Sequence, residues 1–140
     1  MADSKLKLLS LNVRGLKDNK KRREIFRWLK RFHSGKDSVI FLQETHSEYS
    51  TEGIWDKEWG SSIYFSHGTS NSRGVAILLP MKYNFTVEHI WSDAEGRVII
   101  IKIIIGSEIL KLVNVYFPTK DKPSLLNNKV SFCKSSKMLI

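Results

Sequence analysis

Three polar residues stand where apolar runs end: Asn12 after Leu11, Glu44 after Leu42-Gln43, and Tyr116 after the run Leu110 to Val115. Strand ends and the loops that follow them are where α/β-type folds collect their sites. A carboxylate such as Glu44 can hold Mg²⁺, which keeps several waters and takes only one or two protein carboxylates. Asn12 can hold a metal-bound water or a phosphate oxygen, and Tyr116 can donate to a phosphate. Each residue also has a plain structural use. Asn12 can start the turn at Arg14-Gly15, Glu44 can end a strand, and Tyr116 can pack on a sheet edge.

Elements with a packed core must hold such residues in place. Of 140 residues, 41% are apolar and 11% aromatic, which suits one globular domain and excludes global disorder. Lys5 to Val13 reads as a buried strand that Arg14-Gly15 breaks. Asp18 or Asn19 can cap a helix whose apolar positions Ile25, Trp28, Leu29 and Phe32 repeat at helical spacing, which puts Trp28 and Phe32 in the core. Val39 to Leu42 is a second buried strand, so strand, helix and strand suggest a crossover with neighbouring parallel strands. The loop from His46 to Gly60 has room for a short helix. Beyond it the pattern is strand-like throughout: Ile63 to Phe65, Gly74 to Leu79, Phe85 to Trp91, Arg97 to Ile105 and Ile109 to Phe117. Gly106-Ser107 has the composition of a two-residue hairpin turn.

One sheet covered by one helix is the expected arrangement. Both faces of the strand Arg97 to Ile105 are apolar, so a second covering layer is required and largely missing. The uncovered face is expected to favour self-association.

Charge narrows the partners. Lys and Arg number 23 against 14 Asp and Glu, a net charge of +9. Much of the excess lies between Lys17 and Arg31, where Lys20, Lys21, Arg22 and Arg23 form an unbroken basic run suited to nucleic-acid phosphates. A solvated helix face or a nuclear-import signal is the plainer reading of the same run. The N-terminus has no apolar signal core, the longest greasy stretch is far short of a membrane span, and Cys133 is the sole cysteine. An intracellular location, nuclear or cytoplasmic, with no membrane partner is the expectation.

Four segments occur in order: Ser10-Leu11-Asn12-Val13-Arg14-Gly15, Phe41-Leu42-Gln43-Glu44-Thr45-His46, Ser72-Arg73-Gly74-Val75-Ala76-Ile77-Leu78 and Val113-Asn114-Val115-Tyr116-Phe117-Pro118. Together they resemble the first half of the endonuclease/exonuclease/phosphatase family, in the flavour of the apurinic-endonuclease-like nucleases of LINE-type non-LTR retrotransposons. The resemblance implies an α+β fold, the first half of a four-layer α/β sandwich, over residues 1–119, with a basic tail at 120–140 that is helical or disordered. It implies a Mg²⁺-dependent phosphodiester hydrolase acting on DNA. Asn12 and Glu44 then lie on the metal side of the centre, and Tyr116 contacts the scissile phosphate. His46 acquires no catalytic role from its place in the motif, and His33, His67 and His89 read as surface or loop residues. The family's later Asp-x-Asn and Ser-Asp-His motifs do not occur in the 140 residues. The resemblance therefore implies family membership without turnover. The alternative is a non-catalytic nucleic-acid-binding module using the basic helix 17–31.

Overall fold

The computed structural model describes residues 6–32, 37–117, 131–132 and 137–139. The crossover forms as its sequence predicts. Strand β1 (Lys7–Asn12), helix α1 (Asn19–Phe32) and strand β2 (Ser38–Gln43) follow one another, and the two strands pair in parallel from Lys7 opposite Ser38 to Asn12 opposite Gln43. A 3-10 turn (Tyr49–Thr51) leads into helix α2 (Glu52–Trp59) within the loop that had room for one. Strands β3 (Ile63–Ser66) and β4 (Val75–Leu78) complete a four-stranded sheet of order β1-β2-β4-β3. Among the described residues strand β1 is an edge of this sheet, and the expectation of a buried strand fails there, since no residue of β1 is fully buried and Leu8 is 44% exposed.

The remaining strands make a sheet of their own, which corrects the expectation that the second sheet is largely missing. Strands β5 (Thr86–Ser92), β6 (Val98–Ile105) and β7 (Glu108–Val115) form an antiparallel meander, turned between β6 and β7 at Gly106 with φ +59°. Ile99, Ile101 and Ile103 of β6 are fully buried in a cluster with Val39 and Phe41 of β2 and Val75 and Ile77 of β4. The two apolar faces thus cover each other, and the bare face on which self-association was expected is closed. The α+β class and the sandwich layering stand. Among the described residues, the side left without a covering layer is the outer face of the second sheet, where Val98, Ile100 and Ile104 are half-buried. Strands β8 (Ser131–Phe132) and β9 (Lys137–Leu139) lie within the stretch read as a basic tail, and β9 pairs in parallel with β7. The rest of that stretch, 120–130 and 133–136 with residue 140, is outside the described residues.

Helices α1 and α2 cover the other face of the first sheet. The buried positions of α1 are Arg22, Phe26 and Leu29, while Trp28 is 39% exposed. The helix is therefore rotated relative to the stripe expected through Trp28, and Phe26 takes the core place. Its ring meets Trp55 and Trp59 of α2 edge-on at 6.0 and 5.7 Å, a favoured aromatic geometry. Asp18 caps α1, its carboxylate accepting the Lys21 N–H at 2.8 Å. Among the described residues no helix is long and apolar enough to cross a membrane.

Candidate active site

The loops after β1, after β2 and before β4 meet at one end of the sandwich and are laced by backbone hydrogen bonds. The Gly15 N–H donates to the Glu44 carbonyl at 2.6 Å and the Leu16 N–H to the Thr45 carbonyl at 2.9 Å. The Thr45 N–H donates to the Gly74 carbonyl at 3.0 Å and the His46 N–H to the Arg73 carbonyl at 2.9 Å. Close approach fixes the glycines: a Cβ on Gly15, whose φ is +86°, would sit 2.5 Å from His46 Nδ1. Four non-glycine residues hold positive φ here, Arg14 (51°), Glu44 (56°), His46 (53°) and Arg73 (60°). Such backbone costs on the order of 1–3 kcal/mol per residue and persists where surrounding structure imposes it, commonly at functional sites.

The three residues picked out by chemistry converge on one carboxylate. Asn12 Nδ2 donates to Glu44 Oε2 at 2.7 Å, and Asn12 Oδ1 accepts the Arg14 N–H at 3.0 Å. Tyr116 approaches from the second sheet, held by its N–H to the Arg97 carbonyl at 2.8 Å. Partial burial raises the Tyr116 phenol pKa first, and the hydrogen bond to Glu44 with that carboxylate's negative charge raises it further, against a smaller opposing effect of Arg97. The phenol therefore stays protonated and remains a donor. Asn12 is exposed, while Glu44 and Tyr116 are half-buried and reachable.

Several residues that the motif reading did not single out make this arrangement. Asn114 of β7 is 2% exposed. Its Nδ2 donates to the Leu42 carbonyl at 2.9 Å and the Ala76 carbonyl at 2.8 Å, and its Oδ1 accepts Gln43 Nε2 at 2.9 Å. One amide thus ties the second sheet to two strands of the first, immediately beneath Glu44. Asp93 accepts the N–H groups of Arg97 and Val98 at 3.0 Å each and Ser66 Oγ at 2.8 Å, which seats the turn carrying Arg97. The signal for Asn114 was present as a lone amide in an apolar strand. Nothing local marked Asp93.

The basic run divides on the structure. Arg22 is 2% exposed and its guanidinium is fully engaged: Nε to Glu58 Oε1 at 2.5 Å, Nη2 to Glu58 Oε2 at 3.1 Å and to Asn19 Oδ1 at 2.6 Å, and Nη1 to the Leu16 carbonyl at 3.1 Å. It is a core residue and not part of a nucleic-acid-facing surface. Lys21 Nζ donates to the Val13 and Arg14 carbonyls at 3.1 and 3.2 Å, anchoring the loop after β1. Lys20 and Arg23 are exposed. His67, read as a surface or loop residue, lies in a hydrogen-bonded chain. Its Nδ1 is 2.8 Å from Ser47 Oγ, its Nε2 is 2.5 Å from Glu52 Oε2, and the Phe65 ring stacks on it at 5.0 Å.

Among the described residues, no group of three or more His, Cys, Asp or Glu is clustered as for a metal ion. Mg²⁺, whose shell is largely water, needs no such cluster. Glu44 fits such an ion, because its side-chain partners Asn12 and Tyr116 are uncharged donors. Asn12 orients the carboxylate through Nδ2.

Comparison with known proteins bears on the family and the fold. The Endonuclease/Exonuclease/phosphatase family profile matches residues 9–129. Transposon TX1 uncharacterized 149 kDa protein of Xenopus laevis is 31% identical over 114 residues, spanning 81% of this chain and 8% of that protein. Among solved structures, the AP endonuclease LMAP of Leishmania major superposes with a TM-score of 0.56 at 19% identity, over 81% of this chain and 40% of its own. The endonuclease domain of TRAS1, a telomere-specific non-LTR retrotransposon, superposes at 0.55 with 15% identity, over 87% and 50% respectively. The fold and the family profile agree: the chain belongs to the Endonuclease/Exonuclease/phosphatase family. It spans half or less of the length of these relatives.

Proposed function

We propose that this chain carries the amino-terminal half of a Mg²⁺-dependent phosphodiester hydrolase centre of the retrotransposon endonuclease type, with DNA as the substrate class, and that it does not turn over alone. The observation that carries the reading is the convergence of Asn12 and Tyr116 on the Glu44 carboxylate. Glu44 would hold the cation, which when bound would polarise a phosphoryl oxygen and neutralise charge developing in the transition state. Asn12 keeps the carboxylate aimed at it. Tyr116, kept protonated, exchanges its bond to Glu44 for a phosphate oxygen of the bound strand.

The inactivity follows from groups that the centre still needs. Attack on phosphorus requires a positioned water and a proton acceptor, and positioned proton transfer typically contributes about 10²–10⁴-fold. Neither Asp-x-Asn nor Ser-Asp-His stands in the sequence. Support from kinship is the family profile together with the transposon protein of Xenopus laevis and the TRAS1 endonuclease domain.

Plasmid nicking tests the reading beside Mn²⁺ binding followed by electron paramagnetic resonance. Expected are Mn²⁺ binding that Glu44→Gln removes and no nicking by the chain in Mg²⁺. Nicking that needs Mg²⁺ and Glu44 would overturn the inactivity. Mn²⁺ binding unchanged in Glu44→Gln would overturn the site.

A further inference from the structure

We propose that the groove between α1 and α2 is a second polyanion site, taking the sugar-phosphate backbone of a nucleic-acid strand along α1 without using Glu44. The groove encloses about 330 Å³ and is lined by Arg23, Phe26, Arg27, Lys30, Arg31 and Glu58. Four of those six are cations. The lone carboxylate is already neutralised, since both Glu58 oxygens accept from the buried Arg22 at 2.5 and 3.1 Å. Among the residues that line the groove there is no other acid.

The spacing points to a chain of phosphates rather than to one phosphate. Arg23, Arg27 and Arg31 follow at four-residue intervals, so they repeat about every 6 Å along the helix axis and span about 12 Å. Like charges at that interval destabilise an isolated helix. Lys30 and Arg31 lie in the last turn, where they complement the helix dipole. That explanation does not extend to Arg23 and Arg27, which are exposed, mid-helix, and form no ion pair among the described residues. Arginine forks suit phosphate oxygens, which they can take two at a time. Lys30 is steered by its bond to the Glu58 carbonyl at 2.8 Å and lies over the Trp59 ring at 5.5 Å, which keeps its ammonium at the groove wall. A lipid surface fits less well. Phe26, the aromatic residue of the groove, is 1% exposed and has nothing to insert into acyl chains.

The groove extends away from the carboxylate centre, from Arg23 near that end of α1 to Arg31 in its last turn. Lys21 touches the loop after β1 at the centre's end of α1, and Arg31 lies ten residues further on, about 15 Å along the axis.

The test is binding of a labelled single DNA strand of about 16 nucleotides, the length range of one single-strand site, to the full chain across about 50–200 mM salt. Arg23→Gln/Arg27→Gln is expected to weaken binding by about tenfold at low salt and to take about 1.4 off the log–log salt slope, about 0.7 per lost phosphate contact. Lys111→Gln, one charge lost from β7 of the second sheet, is expected to bind the strand like the parent, which separates the groove from a general loss of positive charge. Parent-like affinity and slope in the double variant would overturn the proposal, as would loss of binding to phosphatidylserine vesicles with DNA binding intact. Should the double variant misfold, arginine modification of the parent by phenylglyoxal, read by mass spectrometry, decides the matter. DNA protecting Arg23 and Arg27 supports the groove, and equal modification with and without DNA rejects it.

Discussion

Glu58 and Glu44 are carboxylates at opposite ends of one energetic choice. Glu58 lies between α2 and α1, and the guanidinium of Arg22 covers both of its oxygens while the Trp55 ring packs 5.2 Å from that cation. Its charge is cancelled inside the fold. Glu44 sits at a strained backbone position at a sheet end, where Asn12 and Tyr116 bond it without cancelling its charge. A buried pair is costly to break because one charge is left without its partner. A carboxylate held by neutral donors keeps an uncompensated charge and is ready for a cation. The difference teaches that one acid is neutralised within the fold, while the other is held by neutral donors at the site proposed to take a cation.

Arg22→Ala breaks the comparison most heavily. It strands Glu58 and is expected to cost about 3–5 kcal/mol in urea unfolding. The joint replacement Arg22→Met/Glu58→Leu is expected to recover most of that loss, because an apolar pair of similar volume often replaces a buried ion pair without penalty. No recovery would mean that the pair does more than cancel charge. Next comes Asn114→Ala, which leaves the Leu42 and Ala76 carbonyls without that donor and Gln43 without that acceptor. A loss of about 2–4 kcal/mol is expected, from about 0.5–1.5 kcal/mol for each of the three bonds lost. Tyr116 and Glu44 should separate as well, read as a fall in the Tyr116 phenol pKa toward its ordinary value by tyrosinate absorbance against Tyr116→Phe.

Glu44→Gln sharpens the comparison from the other side. Its stability should change by less than about 1 kcal/mol, since only hydrogen bonds near the surface are altered, while Mn²⁺ binding disappears. The Tyr116 phenol should titrate lower than in the parent, because one of the causes holding it up is the Glu44 charge.

The smallest expected effect concerns acid. Burial pushes the Asp93 carboxyl up, but hydrogen bonds from Val98, Ser66, Arg97 and Glu95 outweigh it and hold the pKa below the ordinary range. A carboxylate lowered in the fold adds stability above its unfolded pKa, about 3.9, and loses it as pH falls through the folded value. Asp93→Asn should therefore flatten the decline of Tm below about pH 4. An unchanged decline would relieve Asp93 of that role.

Much of the fold was legible because the signals were local. The β2 run Val39 to Leu42 is apolar at every position and is buried at every position. Ile99, Ile101 and Ile103 alternate as an inward face must, and the glycine of the β6–β7 turn has the positive φ of its hairpin. Sheet partition was not legible in the same way. Whether β5 to β7 extend the first sheet or stack on it depends on contacts between residues such as Ile101 and Phe41, far apart in sequence. The rotation of α1 was misread because the count of apolar side chains favoured Trp28. A fully bonded arginine can occupy a core position when a distant acid, here Glu58, completes it. Within the site, the types of Asn12, Glu44 and Tyr116 were visible in sequence, whereas the turn held by Asp93 depends on Ser66 and on backbone groups that no pattern announces.

Asn114 gives the sandwich a registration pin. Two stacked aliphatic faces can slide by small amounts at little cost, since dispersion contacts such as those of Ile101 and Ile77 are not directional. An amide satisfied by three fixed partners permits one alignment only. The distance between a carboxylate on one sheet and a phenol on the other is thus set by a polar group beneath them, and not by the oily layer that holds the sheets together. Aliphatic substitutions such as Ile103→Val can then erode the strength of the stack while leaving the spacing of Glu44 and Tyr116 untouched.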